Sequence, residues 1–368
     1  MAKKGLPDVP LLVIIGILLA AGILILASVS SSFSLQRTGT SFYFFNHQLL
    51  VGLLPGLVLG TVAFFMPLSL FKKWSFISLL LSIILLILVF LPVIGGSAGG
   101  ASRWIYIGPF SFQPSEILKL TFILYMASWL AGRVSNARRE SLKTTLLPFI
   151  AVMGTISLFL TLQPDVGTLG VIAATGLAMY FLGGTPVWHT FALMGFGFAA
   201  LAFVILIAPY RISRFLVFLN PSLDPLGQGY QAKQALIGIG SGGLLGTGLG
   251  LSFQKFGTLP EPMSDSIFAV FAEETGFIGS ALLILLFAAF VWRVFVIAKR
   301  VPDRFASLVA TGIGIWIFLQ ASINIGAMLG LLPLTGIPLP FISYGGSALA
   351  SELIAMGILL NISKGANS

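Results

Sequence analysis

Carboxylates crowd one stretch of this 368-residue chain, from Gly257 to Gly276, which reads Gly-Thr-Leu-Pro-Glu-Pro-Met-Ser-Asp-Ser-Ile-Phe-Ala-Val-Phe-Ala-Glu-Glu-Thr-Gly. It holds Glu261, Asp265, Glu273 and Glu274. Asp265 stands where a polar loop meets a long apolar run. A carboxylate in that position could serve as a general base, its weak basicity raised by burial or by the nearby Glu261. It could equally cap the helix that follows, because Asp is a favoured N-cap. Glu273 and Glu274 fall about two turns deeper into the apolar run, where an ionisable group is costly and usually functional.

Three further stretches carry polar chemistry. Arg103-Trp-Ile-Tyr-Ile-Gly-Pro-Phe-Ser-Phe-Gln-Pro-Ser-Glu-Ile-Leu-Lys119 brings Glu116 and Lys119 to one-turn spacing, close enough to pair. Lys119 could take Glu116 or Asp265 as its partner. Trp104, Tyr106 and the phenylalanines suit the headgroup level of a membrane. Gln163-Pro-Asp-Val-Gly-Thr168 breaks helix and adds the Asp165 carboxylate. Pro333-Leu-Thr-Gly-Ile-Pro-Leu-Pro-Phe-Ile-Ser-Tyr-Gly-Gly-Ser347 predicts a rigid non-helical loop containing Ser343, tolerated where protein or water lines it. Arg103, Arg211, Arg214 and Lys233 could receive a pyrophosphate, or contact ordinary anionic lipid.

Other chemistries find no footing. Gly238-Ile-Gly-Ser-Gly-Gly243 matches G-x-G-x-x-G, but no parallel strand precedes it and no Walker lysine follows, so it reads as a turn at the membrane surface. His47 and His189 lie near opposite sides of the membrane, and the chain has no cysteine. A protein-ligated transition metal and disulfides are therefore not expected. The net charge of +9 forms no basic patch interleaved with aromatics, which argues against nucleic acid as a partner.

The elements that must position these residues are membrane helices. The chain is 57% hydrophobic and only 8% charged, whereas a soluble domain carries roughly 25% charged residues. A span needs about 20 mostly apolar residues. Ten candidates run from Leu11 to Val29, Leu49 to Leu68, Phe76 to Ile94, Ile117 to Leu130, Leu146 to Leu162, Leu169 to Leu182, Val187 to Ala208, Ile267 to Ala298, Leu308 to Leu332 and Ala348 to Ile362. Backbone groups in lipid must be satisfied within each segment, so these are helices. The fold expected is an all-α polytopic bundle of about ten transmembrane helices, one membrane domain over residues 1–368. The Lys3-Lys4 start with its apolar run reads as an uncleaved first span, too long for a signal h-region.

Basic residues set the orientation. Lys3, Lys4, Lys72, Lys73, Arg133, Arg138, Arg139, Lys143, Arg293, Lys299, Arg300, Arg304 and Lys364 gather on one side, which is expected to be cytoplasmic and to hold both termini. Most acids gather on the other, from Glu116 and Asp165 to Glu274, as though the outer side were a working surface. Between the seventh and eighth spans lies an outer loop over 209–265. A structureless loop of that length is improbable, so interfacial or re-entrant helical segments are expected in it, centred on Tyr230-Gln-Ala-Lys-Gln-Ala-Leu.

Together the four polar stretches resemble the SEDS family (shape, elongation, division and sporulation), typified by FtsW and RodA. The matching text is Arg103-Trp-Ile with Gln113-Pro-Ser-Glu-Ile-Leu-Lys119, then Gln163-Pro-Asp-Val-Gly-Thr168, Leu259-Pro-Glu-Pro-Met-Ser-Asp-Ser-Ile-Phe-Ala-Val and Gly336-Ile-Pro-Leu-Pro-Phe-Ile-Ser-Tyr-Gly-Gly. They occur in the family's order along the whole chain, and the glycine-rich run after Gly238 looks more like the FtsW type. Two positions depart from the pattern: Ser266 stands where phenylalanine is usual, and Glu352 where asparagine is usual.

The resemblance implies a peptidoglycan glycosyltransferase that polymerises lipid II into a nascent glycan on the outer face of the bacterial cytoplasmic membrane. It also implies a class B penicillin-binding protein as crosslinking partner. Asp265 would be the catalytic base toward the acceptor 4-hydroxyl. Arg103, Lys119, Arg211, Arg214 and Lys233 would hold the pyrophosphate, alone or with a divalent cation (Mg or Mn), and Glu116, Glu261, Asp165 and Ser343 complete the substrate-binding set. The rival readings are a lipid II flippase, which would need a polar path through the bundle, and a non-catalytic scaffold for the penicillin-binding protein.

Overall fold

The computed structural model describes residues 5–91, 95–98, 101–108, 110–132, 142–207 and 209–366. Lys3, Lys4, Ile94, Pro109, Arg133, Arg138, Arg139 and Ala208, all used in the sequence reading, lie outside them. Twelve helices are numbered here in chain order. They are α1 (Val9–Thr38), α2 (Tyr43–Phe65), α3 (Leu68–Leu88), α4 (Pro114–Ala131), α5 (Leu142–Leu162), α6 (Val166–Leu182), α7 (Val187–Ile207), α8 (Pro209–Leu219), α9 (Gln228–Ser241), α10 (Ile267–Arg300), α11 (Arg304–Met328) and α12 (Gly346–Ser363). Among the described residues, eight of these are long and apolar enough to cross a membrane, and α6 is a shorter apolar helix. Helix α4 is almost wholly buried, with Glu116 and Lys119 inside it, which places it within the bundle rather than against lipid.

Two ends of the bundle are defined by hydrogen bonds between distant segments. At the basic end, Asp8 caps α1 by accepting from the Leu11 amide at 2.9 Å, takes the Arg293 guanidinium of α10, and donates its own amide to Ser363 Oγ of α12 at 3.0 Å. Lys364 Nζ reaches the Phe64 carbonyl at 2.9 Å, and Ser128 reaches the Lys72 carbonyl at 3.3 Å. Burial alone would raise the Asp8 carboxyl, but the Arg293 bond, the Leu11 amide and the charges of Arg293 and Arg300 together hold it below its ordinary value. At the opposite, acidic end lie Asp265, the 163–165 turn and the 337–345 loop.

The acidic end carries two features outside the sequence reading, the sheet and a helix break, and a long loop that holds helices as expected. A three-stranded antiparallel sheet, β1 (Gly95–Ala98), β2 (Ala101–Ile107) and β3 (Phe110–Phe112), departs from the all-α expectation. Alternation explains it, since Ile105 is buried while Tyr106 faces out, and Gly108 turns the chain with φ +61°. Helix α8 occupies the start of the long loop, with α9 at the amphipathic centre the sequence marked. Finally, α10 is interrupted at Gly276, whose φ of 67° and ψ of −165° are not helical. The freed carbonyls of Glu273 and Glu274 accept from the Thr247 and Gly248 amides at 2.9 and 3.1 Å, and the Phe277 amide donates to Gly243 at 2.9 Å. At about 1.5 Å per residue a 34-residue helix is about 51 Å long, well beyond a hydrocarbon core of about 30 Å. The break therefore leaves a conventional span below it and a short helical arm, 267–275, above it.

Lipid offers no hydrophobic drive for helices to associate, so small residues that let backbones approach carry the packing. Gly52, Gly56 and Gly60 form such a row on α2 against α12. A Cβ on Gly357 would lie 2.0 Å from the Gly60 carbonyl oxygen, while one on Gly16 of α1 would meet nothing within 4 Å. Gly357→Ala should accordingly destabilise the detergent-solubilised protein by roughly 1–3 kcal/mol, read as a lower melting temperature, with Gly16→Ala unchanged. Equal melting of the two variants would show that the α2–α12 crossing has room to spare.

Candidate active site

Asp265 sits in a tight turn just before α10. Glu261 opens the turn in the left-handed region, φ +49°, and its carbonyl accepts from the Ser264 and Ser266 amides at 3.3 and 3.2 Å. A non-glycine residue in that region is uncommon and is held by its surroundings. Ser266 takes the N-cap position of α10 and makes no side-chain cap there. The Asp265 carboxylate is thus not consumed in capping. Its partners are Gln231 Nε2 of α9, at 3.4 and 3.5 Å, and Ser264 Oγ at 3.5 Å. Contacts of that length are weak, so the group is steered rather than locked. Gln231 is anchored more firmly on Ser266 Oγ, at 2.9 Å.

The carboxyl is half-buried, but it lies deep within the surrounding protein. Burial, and after it the Glu261 charge, push the Asp265 carboxyl up to about 6, against smaller lowering by its own amide, Gln231 and Ser264. A carboxylate of that basicity is better matched to proton abstraction near neutral pH than an ordinary aspartate.

The backbone under Asp265 is tied to the 337–345 loop. Asn324 Nδ2 of α11 donates to the Asp265 carbonyl and to the Ile337 carbonyl, both at 2.8 Å. Ser343 Oγ donates to the Ser264 carbonyl and accepts from the Leu339 amide at 2.8 Å. The Tyr344 amide donates to the Met263 carbonyl at 2.8 Å. Gln48 closes the loop from α2, where residues 48–53 form a π-helical turn. Its side chain donates to the Ser343 carbonyl at 3.4 Å and accepts from the Gly345 amide at 3.0 Å. Burial and then the neighbouring Tyr43 push the Tyr344 phenol up to about 12, so it stays protonated while sharing a 2.9 Å hydrogen bond with His47 Nδ1.

The sequence-predicted residues fall into separate groups. Asp265, Glu261 and Ser343 come together, with Ser343 spent on backbone contacts. Glu116 and Lys119 pair with each other at 2.7 Å, both buried. Lys119 Nζ also donates to Gln320 Oε1 at 2.8 Å and lies 5.2 Å from the Trp316 ring centroid. Among the described residues no ion pair joins Lys119 to Asp265, so the choice left open by the sequence goes to Glu116. Asp165 caps α6, accepting from the Thr168 amide at 3.4 Å and Ser115 Oγ at 3.2 Å. Arg103 donates to the Gln163 carbonyl at 3.1 Å and to the Pro164 carbonyl beside it. Arg211 donates to the Val204 and Thr161 carbonyls at 2.9 and 3.1 Å. Arg214 faces the Gln228 amide oxygen at 2.7 Å once that amide is turned, and Lys233 is exposed on α9. These basic groups ring the acidic end without touching Asp265.

Glu273 and Glu274 serve the loop above the α10 break. Glu273 accepts from the Phe253 and Gln254 amides at 3.0 and 3.3 Å, and Glu274 pairs with Lys255 at 2.9 Å. Gln231, Asn324 and Gln48 were missed in the sequence. Each is an amide in an apolar or helical run, and only the burial of a polar group in such a run could have flagged it.

Comparison with known proteins extends over the whole chain. A family model described as "cell cycle protein", covering FtsW, RodA and SpoVE, matches residues 9–368. Stage V sporulation protein E of Bacillus subtilis (strain 168) is 40% identical over 366 residues, covering 98% of each chain. A probable peptidoglycan glycosyltransferase FtsW from Thioalkalivibrio sp. (strain K90mix) is 42% identical over 358 residues, covering 96% of this chain and 89% of that one. A solved structure of a peptidoglycan synthase complex, concerned with the coordination of polymerization and crosslinking, contains a chain with a TM-score of 0.78 and 26% identity, covering 98% of each.

The raised carboxyl has a stability signature. Its folded value of about 6 lies above the ordinary 3.8, so the associated stability is full below 3.8 and is lost as pH rises through 6. Asp265→Asn, which mimics the neutral group, should melt higher than the parent at pH 8 and converge with it near pH 4. Equal melting at pH 8, followed by intrinsic fluorescence, would mean that the ionised carboxylate is not held at a cost.

Proposed function

The chain belongs to the FtsW/RodA/SpoVE family of cell cycle proteins, and from that premise we propose that it polymerises lipid II with Asp265 as the general base. It is a multi-pass membrane protein and a peptidoglycan glycosyltransferase. The observation that carries the residue assignment is the Asp265 turn: a carboxyl raised to about 6, left free by the helix cap and steered by Gln231.

In the proposed reaction the acceptor sugar presents its 4-hydroxyl to Asp265. The carboxylate takes that proton as the oxygen bonds to the anomeric carbon of the donor. The glycosidic bond to the lipid pyrophosphate breaks on the opposite face, so one displacement inverts the centre. The leaving pyrophosphate carries the negative charge, and the basic groups around the acidic end, Arg103, Arg211, Arg214 and Lys233, are the candidates to receive it. Lys119 is neutralised by Glu116 inside the bundle and is better suited to holding α4 and α11 together. A divalent cation (Mg or Mn) usually takes one or two carboxylates plus substrate phosphates. Glu261, exposed beside Asp265, fits that sparse donor set, and the cation would supply charge neutralisation of the pyrophosphate.

The same reading assigns ten crossings, counting α4 and α6 with the eight longer helices, in one membrane domain. The basic end then faces the cytoplasm with both termini, and Asp265 faces outward. A class B penicillin-binding protein is the proposed crosslinking partner, supported by the likeness to a chain of a synthase complex. The flippase reading needs free polar groups in the bundle, and among the described residues the buried Glu116, Lys119, Gln320 and Glu352 are spent on one another and on backbone.

Purified protein with its partner and labelled lipid II provides the test. Asp265→Asn should lower glycan formation by about 10²–10⁴-fold with the fold intact; chains made at the parental rate would overturn the assignment. In the parent, kcat should rise with pH up to about 6 and then level off. Glu261→Gln, which removes a charge that raises the Asp265 value, should move that limb to lower pH.

A further inference from the structure

We infer that Glu352, buried in α12, is a positioning residue for Asp265, acting through the strained turn at Phe341. The inference rests on Asp265 being the base. Phe341 is in the left-handed region, φ +64°, with its bulky side chain 4% exposed. Such a backbone is costly and persists only where its surroundings over-determine it. Its amide donates to Glu352 Oε2 at 2.8 Å. The other oxygen accepts from Gln320 Nε2 at 3.4 Å, and the same nitrogen also donates to the Pro338 carbonyl at 3.1 Å. Glu352 therefore holds the inner side of the 337–345 loop at two points, one direct and one through Gln320. It is 1% exposed.

What this loop does is already clear from its outer side. Two residues beyond Phe341, Ser343 Oγ holds the Ser264 carbonyl, and the Tyr344 amide holds Met263. The strained turn is the joint between the carboxylate below and the Asp265 turn above. Helix α1 leaves it no slack, since a Cβ on Gly22 would lie 2.1 Å from the Phe341 carbonyl oxygen. If the Phe341 amide loses its acceptor, it becomes a buried unpaired donor in a strained residue. Relaxing that strain moves Ser343, and with it the base.

The role requires an acceptor oxygen at this place, not a charge. Glu352→Gln keeps a carbonyl oxygen in nearly the same volume and should retain kcat within about twofold. Glu352→Leu removes the acceptor and should lower kcat by about tenfold or more, because a displacement of about 1 Å at a reacting group is that costly. KM for lipid II should be unchanged in both, as Glu352 is remote from the pyrophosphate groups. A Leu variant with parental kcat, a fall confined to KM, or a Gln variant as impaired as Leu would each overturn the inference. Should the Leu variant not fold, the Gln variant still decides, together with hydrogen exchange of the Phe341 amide in the parent; that amide should exchange slowly, and rapid exchange would also overturn it. Asp265→Asn run alongside separates the two readings. Parental activity there removes the base assignment, whereas an inactive Asp265→Asn beside an unimpaired Glu352→Leu removes only the role of Glu352.

Discussion

Two loops far apart in sequence share one set of backbone hydrogen bonds, and the acidic end of the molecule is organised around that junction. Ser343 holds the Ser264 carbonyl, Tyr344 the Met263 carbonyl, and Asn324 both Asp265 and Ile337. Non-helical backbone at membrane depth is tolerated only when protein or water satisfies it. The 261–266 turn and the 337–345 loop satisfy each other, so neither could keep its shape alone. A carboxylate mounted on such a turn has a fixed position without being gripped by its own side-chain bonds. That combination suits a group whose proton must come and go, since strong side-chain bonds to the charged form would lower its basicity.

The same logic recurs at the α10 break. A glycine interrupts the helix, and the 243–248 strand of chain supplies donors and acceptors to the exposed rungs. Gly246 comes so near that a Cβ on it would lie 2.2 Å from the Glu274 carbonyl oxygen. Glu273 and Glu274 then hold the loop from the helix side through Ser252, Phe253 and Lys255. These buried carboxylates, which from sequence alone compete with Asp265 for attention, are fully paired. Bond length separates the two kinds of carboxylate: Glu273 and Glu274 hold the loop that follows α9 through short bonds, while Asp265 has only the 3.4–3.5 Å contacts of Gln231 and Ser264.

Much of this was legible in the sequence, for a physical reason in each case. The apolar runs had to be helices, and α1 to α7 and α10 to α12 overlap them, although α3 runs from Leu68 to Leu88 where Phe76 to Ile94 was expected. Glu116 and Lys119 had the spacing of a helical pair and are one. Asp265 was visible because an acid at a loop–span boundary invites comparison with both a cap and a base. The structure gives the cap position to Ser266, so Asp265 is not the cap. The sheet over 95–112 was not legible, because two of its strands are very short, the first is half glycine, and all lie beside a long apolar span whose signal dominates the window. The resemblance implied that Arg103, Lys119, Arg211, Arg214 and Lys233 hold the pyrophosphate, and among the described residues none is bonded to Asp265. Local carbonyls at helix ends took Arg103 and Arg211 instead, since an orphan carbonyl close in sequence or space competes well for a guanidinium.

Glu352 shows how a position that breaks a pattern can still be consistent with the fold. In isolation a glutamate in the middle of the last helix contradicts every rule for burying charge. Its neighbours resolve the contradiction, because the Phe341 amide donates to one carboxylate oxygen and Gln320 Nε2, shared with the Pro338 carbonyl, to the other. Replacing either side alone leaves a buried polar group without a partner, which costs more than the bond itself contributes. The strained turn and the buried acid therefore have to be read as one unit. A sequence pattern scores them separately, which is why the departure at Glu352 looks like an oddity until the loop across from it is seen.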